Sequence, residues 1–217
     1  MFTRRFAIAA ALVFTAVALI PAQAPPPSGA QTTTQPAGQR GGAGGRGRGA
    51  MQIMTLTAPW APGAEIPLKH TQVGDEISPA LSWTNVPEAA GSFVLLVHDV
   101  SAPVTPGTDD LLHWLVWNIP GTSRSLPEGM PQGPELPDGT RQISVTGPNY
   151  RGPGAAAAGP PHVYVFELYA LDGMLDIPAL GPEGATVAQT RAAVMAAMAG
   201  RVRGKAVTAG TFKRKGA

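Results

Sequence analysis

Residues 93–99 and 111–120, FVLLVHD and LLHWLVWNIP, are two apolar runs separated by the loop VSAPVTPGTDD. Strands that are buried on both faces read as continuous apolar runs, so both segments are predicted to lie in the middle of a sheet. The first run ends at Asp99, and the second is interrupted near its start by His113. A carboxylate and an imidazole are costly to bury alone, so each of these residues requires a partner, a ligand or a cleft.

A second informative stretch, residues 147–172, reads GPNYRGPGAAAAGPPHVYVFELYALD. It begins as a loop rich in glycine and proline, and at His162 it becomes another apolar strand that continues to Leu171. A loop of this length inside a compact domain is usually either functional or disordered. The sequence therefore predicts a third polar strand end, at His162, beside a loop that could line a pocket.

The blocks HDVSAP, HW, GPNYRGPG and PHVYVFELYALD resemble the signature blocks of the phosphatidylethanolamine-binding protein family, and most closely its bacterial Raf-kinase-inhibitor-like branch. The resemblance covers roughly residues 53–213 and keeps the family's order. It implies a mostly β fold (β-rich α+β), an antiparallel β-sandwich with a C-terminal helix and few short helices, and a small anion-binding pocket. The pocket positions that it implies are Asp99, Ser101, His113, Gly147, Pro148, Tyr150, Gly152, His162 and Tyr164. Ser101 departs from the family pattern, which usually has a second aspartate there.

Composition limits the classes of function that remain open. Glycine and proline number 27 and 23, which suits a β-rich fold with many turns, and there is no cysteine for a disulfide, a thiolate nucleophile or a lipid anchor. The first 50 residues hold five arginines and no acid, whereas residues 51–217 hold 11 basic and 14 acidic side chains. The folded part is therefore not expected to bind nucleic acid.

The N-terminal region predicts export. Residues 1–24 read as a signal peptide, with Arg4 and Arg5 before an apolar run and the small-residue cleavage site Ala22-Gln23-Ala24. An uncleaved anchor is the alternative, although the apolar run falls short of the roughly 20 residues that cross a bilayer. Residues 25–50 predict a disordered linker rich in proline, glycine and arginine, and residues 51–217 the domain. We expect a periplasmic or secreted protein with no stable membrane span after cleavage.

The remaining elements are assigned by pattern. Residues 51–57 predict a first strand, 142–145 a short strand, and 205–213 a last strand; residues 186–200 predict a helix with a capping box between Thr186 and Gln189. Because side chains alternate along a strand, His98 is expected on the face opposite Asp99 as a paired histidine. Glu167 is expected to form a salt bridge, and His70, in the polar stretch KHTQ, to lie on the surface.

Four interpretations of the polar residues remain open. Asp99 and the two histidines could bind zinc, although no HExxH motif supports a metal site. Ser101, His113 and Asp99 could form a hydrolase triad, although no GxSxG motif is present. Imidazoles and loop N–H groups could bind an anion, with Asp99 directed at an imidazole or at a cationic group. Asp99 and His113 could also simply pair with each other in the core.

The anion pocket is the function that the resemblance favours. We therefore expect a binding protein for a small anion or phospholipid headgroup, with no catalytic residue, no metal and no cofactor. Some relatives inhibit a partner enzyme, so modulation of an unidentified protein partner is a further expectation. The alternative is a hydrolase that cleaves a phosphoester or ester in the same Asp/His pocket.

Overall fold

The computed structural model describes residues 51–104 and 109–216. The predicted signal peptide and linker lie outside the described residues, as does the centre of the loop between the two apolar runs, residues 105–108. Within the described part of the chain, strands predominate and there is one α-helix.

The strands are β1 (Gln52–Ile53), β2 (Thr55–Thr57), β3 (Leu81–Thr84), β4 (Ser92–Pro103), β5 (Asp110–Pro120), β6 (Ser125–Leu126), β7 (Arg141–Ile143), β8 (His162–Leu171) and β9 (Val202–Phe212). The helix α1 is Val187–Met198, and a 3-10 turn covers Leu68–His70. A six-stranded sheet has the order β1-β9-β8-β4-β5-β7, and a three-stranded sheet has the order β2-β3-β6. Both sheets are open, and the mostly β prediction is confirmed.

The two apolar runs occupy the middle of the larger sheet, as predicted. Strand β4 pairs antiparallel with β5 on one side and with β8 on the other. In the register, Asp99 lies opposite Leu111 of β5 and Tyr164 of β8. The C-terminal half of β4 and the starts of β5 and β8 therefore meet at one end of the sheet, which places the polar residues of these strands close together.

Residues 51–57 do not form the single strand that their pattern predicted. The segment divides at Met54, whose side chain is buried and whose N–H donates to the carbonyl of Lys205. Before that point β1 pairs parallel with β9, and after it β2 joins the smaller sheet. A residue that enters the core between the sheets thus ends one pairing and begins another, and it gives the fold a parallel pair that the sequence did not indicate.

The larger sheet is buried on both faces. One face packs on the smaller sheet, so that Trp83 and Leu126 contact a core that includes Phe93 and Trp114. The other face packs against α1 through a second cluster that includes Leu96, Trp117, Val194 and Met198. This double burial explains why β4 and β5 are apolar at nearly every position.

Helix α1 begins as predicted. The Thr186 hydroxyl accepts from the N–H of Gln189, and the Gln189 side chain accepts from the N–H of Thr186, which completes the capping box. Val194 and Met198 are buried on the side that faces the sheet. Among the described residues, no helix has the length and apolar character that crossing a bilayer requires.

Candidate functional site

The polar residues at the meeting point of β4, β5 and β8 form two hydrogen-bonded groups. The first is built around Asp99, which is 2% exposed. Its Oδ2 accepts from Nδ1 of His162 at 2.7 Å, and its Oδ1 accepts from the backbone N–H of Ser101 at 2.9 Å. Asp99 therefore pairs with His162 and not with His113, and it directs its charge at an imidazole.

Asp99 fixes the orientation of His162. Because a carboxylate only accepts, Nδ1 of His162 carries the proton that it donates to Asp99. The other ring nitrogen, Nε2, is then free to accept in the neutral ring or to donate in the protonated ring. The His162 side chain is 29% exposed, so the pair joins a buried carboxylate to a group that a ligand can reach.

The second group is built around His113, which is 1% exposed. Its Nδ1 donates to the carbonyl of Arg151 at 2.9 Å, and the N–H of Arg151 donates back to the carbonyl of His113 at 3.0 Å. This reciprocal pair ties the long loop to the start of β5. Since Nδ1 holds the proton, the neutral ring presents an unprotonated Nε2.

Burial lowers the pKa of His113, and the positive charge of Arg151 acts in the same direction. The Arg151 carbonyl and the charge on Asp99 oppose this shift without cancelling it. His113 is therefore neutral near pH 7 in this protein.

Three histidines have a buried Nε2 atom without a hydrogen bond to a described residue, and the surroundings of these atoms differ. Nε2 of His70 lies 3.8 Å from a carboxylate oxygen of Glu128, and Nε2 of His98 lies 3.7 Å from one of Glu167. No described carboxylate pairs with Nε2 of His113. The Nε atom of Arg151 is also buried without a hydrogen bond to a described residue. His113 and Arg151 thus contribute two buried nitrogens without a hydrogen-bond partner among the described residues, and Arg151 adds a positive charge.

The segment of residues 70–77 holds the site loop in place. The Gln72 side chain donates to the carbonyl of Gly152, and the N–H of Gly152 donates to Glu76. The carbonyl of His70 accepts from the Tyr150 hydroxyl. A Cβ on Gly152 would lie 2.5 Å from that carbonyl, so only glycine fits there. These contacts fix Arg151 against His113.

His70 contradicts the expectation of a surface histidine. It is completely buried, and its Nδ1 donates to the carbonyl of Ile77 at 2.8 Å. His70 ends a 3-10 turn of three residues, which is too short to show a periodic pattern from which burial could be inferred.

The two predicted tyrosines have different positions. Tyr164 is at the site. Its ring packs edge-on against the ring of His113, with 5.0 Å between the ring centroids, and its hydroxyl accepts from the N–H groups of Gly154 and Ala155. Burial and the nearby charge of Asp99 raise its pKa to about 12, so the hydroxyl stays protonated. Tyr150 instead packs in the core against Trp114, and burial raises its pKa strongly.

The predicted glycines and proline, like the tyrosines, lie partly at the site and partly away from it. Gly152 is buried beside His113. Gly147 exchanges backbone hydrogen bonds with Ser144, and the carbonyl of Pro148 accepts from the N–H of Gly133. Within the described residues, no hydrogen bond joins either of these two positions to Asp99, His113 or His162.

Arg151 is the site residue that the sequence did not single out. The block GPNYRGPG predicts pocket positions at its glycines and its tyrosine. The arginine within it acts on His113 through its backbone as well as its charge. The signal that could have found it is charge: Arg151 is the one basic residue between Arg141 and Arg191.

The hydrolase and metal interpretations find little support in the geometry. The Ser101 hydroxyl accepts from the N–H of Val163 at 3.0 Å, and Asp99 bonds to His162, so no Ser101–His113–Asp99 relay forms. Across residues 51–104 and 109–216, no three His, Asp or Glu side chains are grouped to hold a metal ion.

Comparison with known proteins agrees with this architecture. The sequence model of the family described as phosphatidylethanolamine-binding protein matches residues 57–213. A UPF0098 protein of Methanothermobacter thermautotrophicus is 40% identical over 156 residues, which are 69% of this chain and 91% of the relative. The UPF0098 protein YbhB of Escherichia coli is 38% identical over 104 residues, 46% of this chain and 62% of the relative.

Solved structures show the same fold. The phosphatidylethanolamine-binding protein homologue CT736 of Chlamydia trachomatis aligns with a TM-score of 0.60 and 31% identity, over 75% of this chain and 99% of that one. Escherichia coli YbcL aligns with a TM-score of 0.58 and 24% identity over the same shares, which supports the fold alone. The sequence match and the shared fold together establish that the chain belongs to the phosphatidylethanolamine-binding protein family.

Proposed function

We propose that this chain is an exported binding protein whose pocket takes a phosphate-type anion, the chemical group that a free phosphate ester and a phospholipid headgroup share. The pocket lies where β4, β5 and β8 meet the loop of residues 151–155. The observation that carries the proposal is the pair of His113 and Arg151, whose buried Nε2 and Nε atoms have no hydrogen-bond partner among the described residues. A buried polar atom without a partner is costly, and an anionic oxygen would accept from the Arg151 N–H directly and from Nε2 of His113 once that nitrogen is protonated.

The pocket residues have different roles in binding the anion. Arg151 supplies a permanent positive charge, and guanidinium groups suit phosphate oxygens. His113 is neutral when the pocket is free, so its Nε2 must gain a proton before it can donate to a fully ionised oxygen. The Asp99–His162 pair offers a second imidazole nitrogen from the exposed side.

Asp99 also bears on selectivity. It accepts from His162 and Ser101, so its charge faces donors and does not repel an anion at close range. A ligand that brings an ammonium group next to its phosphate would gain from the same carboxylate. The arrangement therefore favours phosphate esters that carry a cationic group over plain phosphate.

Calorimetric titration with phosphate and with phosphorylethanolamine tests the proposal. His113→Asn keeps a donor near the Arg151 carbonyl but deletes Nε2, so we expect binding of both ligands to weaken roughly tenfold or more. His70→Asn is the matched control, because His70 also donates through Nδ1 to a backbone carbonyl and also buries its Nε2. Equal effects of the two changes, or no binding by the wild type at millimolar ligand, would refute the anion pocket.

Export rests on the first 24 residues, where adjacent arginines, an apolar run and small-residue cleavage sites occur in signal-peptide order. We expect the mature chain to begin near Pro25 or Gln31. N-terminal sequencing of the protein isolated from its own host checks this expectation, and soluble protein that retains an intact Met1 would contradict it.

A further inference from the structure

The basic side chains of the described residues fall into two classes. One class is paired with carboxylates: these are Lys69, Arg141, Arg191, Arg201, Arg203 and Lys205. The other class has no ion pair with a described residue: these are Arg124, Arg151, Lys213, Arg214 and Lys215. Arg124 donates to two backbone carbonyls, whereas the remaining four lie at the pocket end of the larger sheet.

The three consecutive basic residues 213–215 are held beside the pocket by the strand register. Phe212 of β9 lies opposite His162 of β8, so Lys213 follows immediately after the position that pairs with a pocket histidine. The N–H of Arg214 donates to the carbonyl of Ala155, whose own N–H donates to the hydroxyl of Tyr164. Arg214 and Lys215 are exposed, which leaves their charges available to a partner.

The neighbouring loop tip has no charge. Residues 156–161 read AAAGPP, and all of them are exposed. Ala155 at the base of this tip is the residue that holds Arg214. The basic triplet and the uncharged tip therefore form one continuous surface, which we call the rim and define as residues 156–161 and 213–215.

We propose that the rim docks on the surface of an anionic lipid bilayer. Residues 51–217 hold more acidic than basic side chains, so attraction to such a surface requires that the domain present a local basic patch in one orientation. Each lysine or arginine near an anionic bilayer contributes about a fivefold gain in affinity. The rim turns the mouth of the pocket toward the plane in which phosphate headgroups lie.

The chemistry of the rim fits a bilayer better than a nucleic acid. Single strands are bound by stacking on exposed aromatic rings, and none of the large hydrophobic side chains exposed in the described residues is aromatic. Duplex binding depends on many phosphate contacts, and three charges on a domain of negative sign provide few. Small alanine, glycine and proline residues can approach a headgroup layer closely without a charge that must be desolvated.

Vesicle co-sedimentation of the full chain tests the proposal. Neutral phosphatidylcholine vesicles are compared with vesicles that also contain about 30 mol% phosphatidylserine. The ratio of the two affinities is compared between variants, because the apolar run and the five arginines of residues 1–50 can also bind vesicles and are the same in every variant. The test variant is K213Q/R214Q/K215Q. The matched control, R124Q/R201Q/R203Q, removes the same charge at the opposite end of the sheet, about 30 Å away along β9.

We expect the test variant to lose the anionic preference by on the order of a hundredfold, and the control to lose less than about fivefold. Raising the salt from about 0.05 M to about 0.5 M should remove most of the difference. Equal losses in both variants, no loss in the test variant, or tighter binding of the same triplet to a duplex DNA competitor would overturn the proposal.

The two proposals for this end of the molecule can fail separately. The rim variant should keep the phosphate affinity of the wild type, because no rim side chain is placed in the pocket. His113→Asn should keep its binding to anionic vesicles, because it leaves the rim charges intact. Loss of vesicle binding in His113→Asn, with none in the rim variant, would mean that the pocket, and not the rim, holds the bilayer.

Discussion

His98 and Asp99 are neighbours in β4, and each belongs to a histidine–carboxylate pair on a different face of the larger sheet. On the helix side, Nδ1 of His98 donates to Asp110 at 2.5 Å, and Asp110 also pairs with Arg191 of α1 at 2.8 Å. On the pocket side, Asp99 accepts from His162. The prediction that His98 faces away from Asp99 as a paired histidine is confirmed.

The two faces differ in how completely their charges are paired. Next to the His98 pair, Glu167 accepts from Lys205 at 2.6 Å and from the Tyr169 hydroxyl at 2.8 Å, which confirms its predicted salt bridge. Nε2 of His98 has no hydrogen bond but lies 3.7 Å from a carboxylate oxygen of Glu167. On the pocket face, Nε2 of His113 and Nε of Arg151 have neither a hydrogen bond nor an ion pair with a described residue. The difference supports the proposal that the pocket-side cluster binds a ligand, whereas the helix-side cluster stabilises the fold.

The largest expected effect comes from breaking the helix-side cluster. Asp110→Ala removes the partner of His98 and Arg191, whose side chains are mostly buried. Loss of a partly exposed member of such a cluster should cost about 2–3 kcal/mol of unfolding free energy. We expect a melting temperature lower by roughly 8 °C.

Asp109→Ala is the control for this prediction, because Asp109 is exposed and takes no part in the cluster. It should change the free energy of unfolding by less than about 0.5 kcal/mol. Phosphate affinity should stay within about twofold in both variants, since the two faces share no partner. A phosphate affinity that collapses in Asp110→Ala would show that the faces are not independent.

A change of pH is expected to have an effect of intermediate size on the stability of the folded protein. Burial lowers the pKa of His113 in the folded protein below the value near 6.5 of the unfolded chain. Below that value the unfolded chain binds a proton that the folded chain does not, so stability falls as the pH falls through 6.5. Each unit by which the pKa is lowered contributes at most about 1.4 kcal/mol.

Melting temperatures measured from pH 7.5 to pH 5 check this slope. Saturating sulfate should flatten it, because a bound anion favours the protonated ring, and His113→Asn should lack this part of it. On the helix side, burial alone would raise the pKa values of Asp110 and Glu167. The hydrogen bonds from their cationic partners outweigh burial, so both pKa values are lowered. Their stabilisation is present above about pH 4.5 and is lost only below it. If the melting temperature of His113→Asn falls with pH as steeply as that of the wild type, the assignment of this slope to His113 is contradicted.

The smallest effect is expected at Ser101, where the chain departs from its family. Its hydroxyl accepts from Val163 and its N–H donates to Asp99, and the side chain is exposed. Ser101→Asp adds a carboxylate beside Asp99, so phosphate affinity should fall about threefold while the preference for phosphorylethanolamine rises. Ser101→Asn controls for size without charge. A preference that stays unchanged in Ser101→Asp would contradict a role in selectivity.

Much of the fold could be predicted because the strands that carry it have strong patterns. The apolar runs that became β4, β5 and β8 indicated a buried sheet, and polar residues at their ends indicated where a site could form. The capping box at Thr186 gave the start of α1. These features are local, so a single sequence contains them.

The parts that escaped prediction depend on contacts between distant segments. Residues 51–57 divide at Met54 because β1 pairs with β9, about 150 residues further along the chain, and residue type alone does not reveal that pairing. Arg151 binds His113 through a backbone carbonyl, which every residue has, so its side chain gave no sign of this contact. His70 is buried because the 3-10 turn packs against the site loop, and a turn of three residues is too short to show a periodic pattern.

The central claim is that Nε2 of His113 is an unprotonated, unpartnered atom that gains a proton when an anion binds. Nitrogen-15 NMR of histidine-labelled protein at pH 7 measures this directly, because the chain has only four histidines and the His113→Asn variant identifies the signal. Sulfate is the titrant, since it carries no proton of its own at that pH. We predict that the His113 Nε2 resonance moves from the position of a bare nitrogen to that of a protonated one as sulfate saturates. Sulfate binding that leaves this resonance unprotonated would contradict the account.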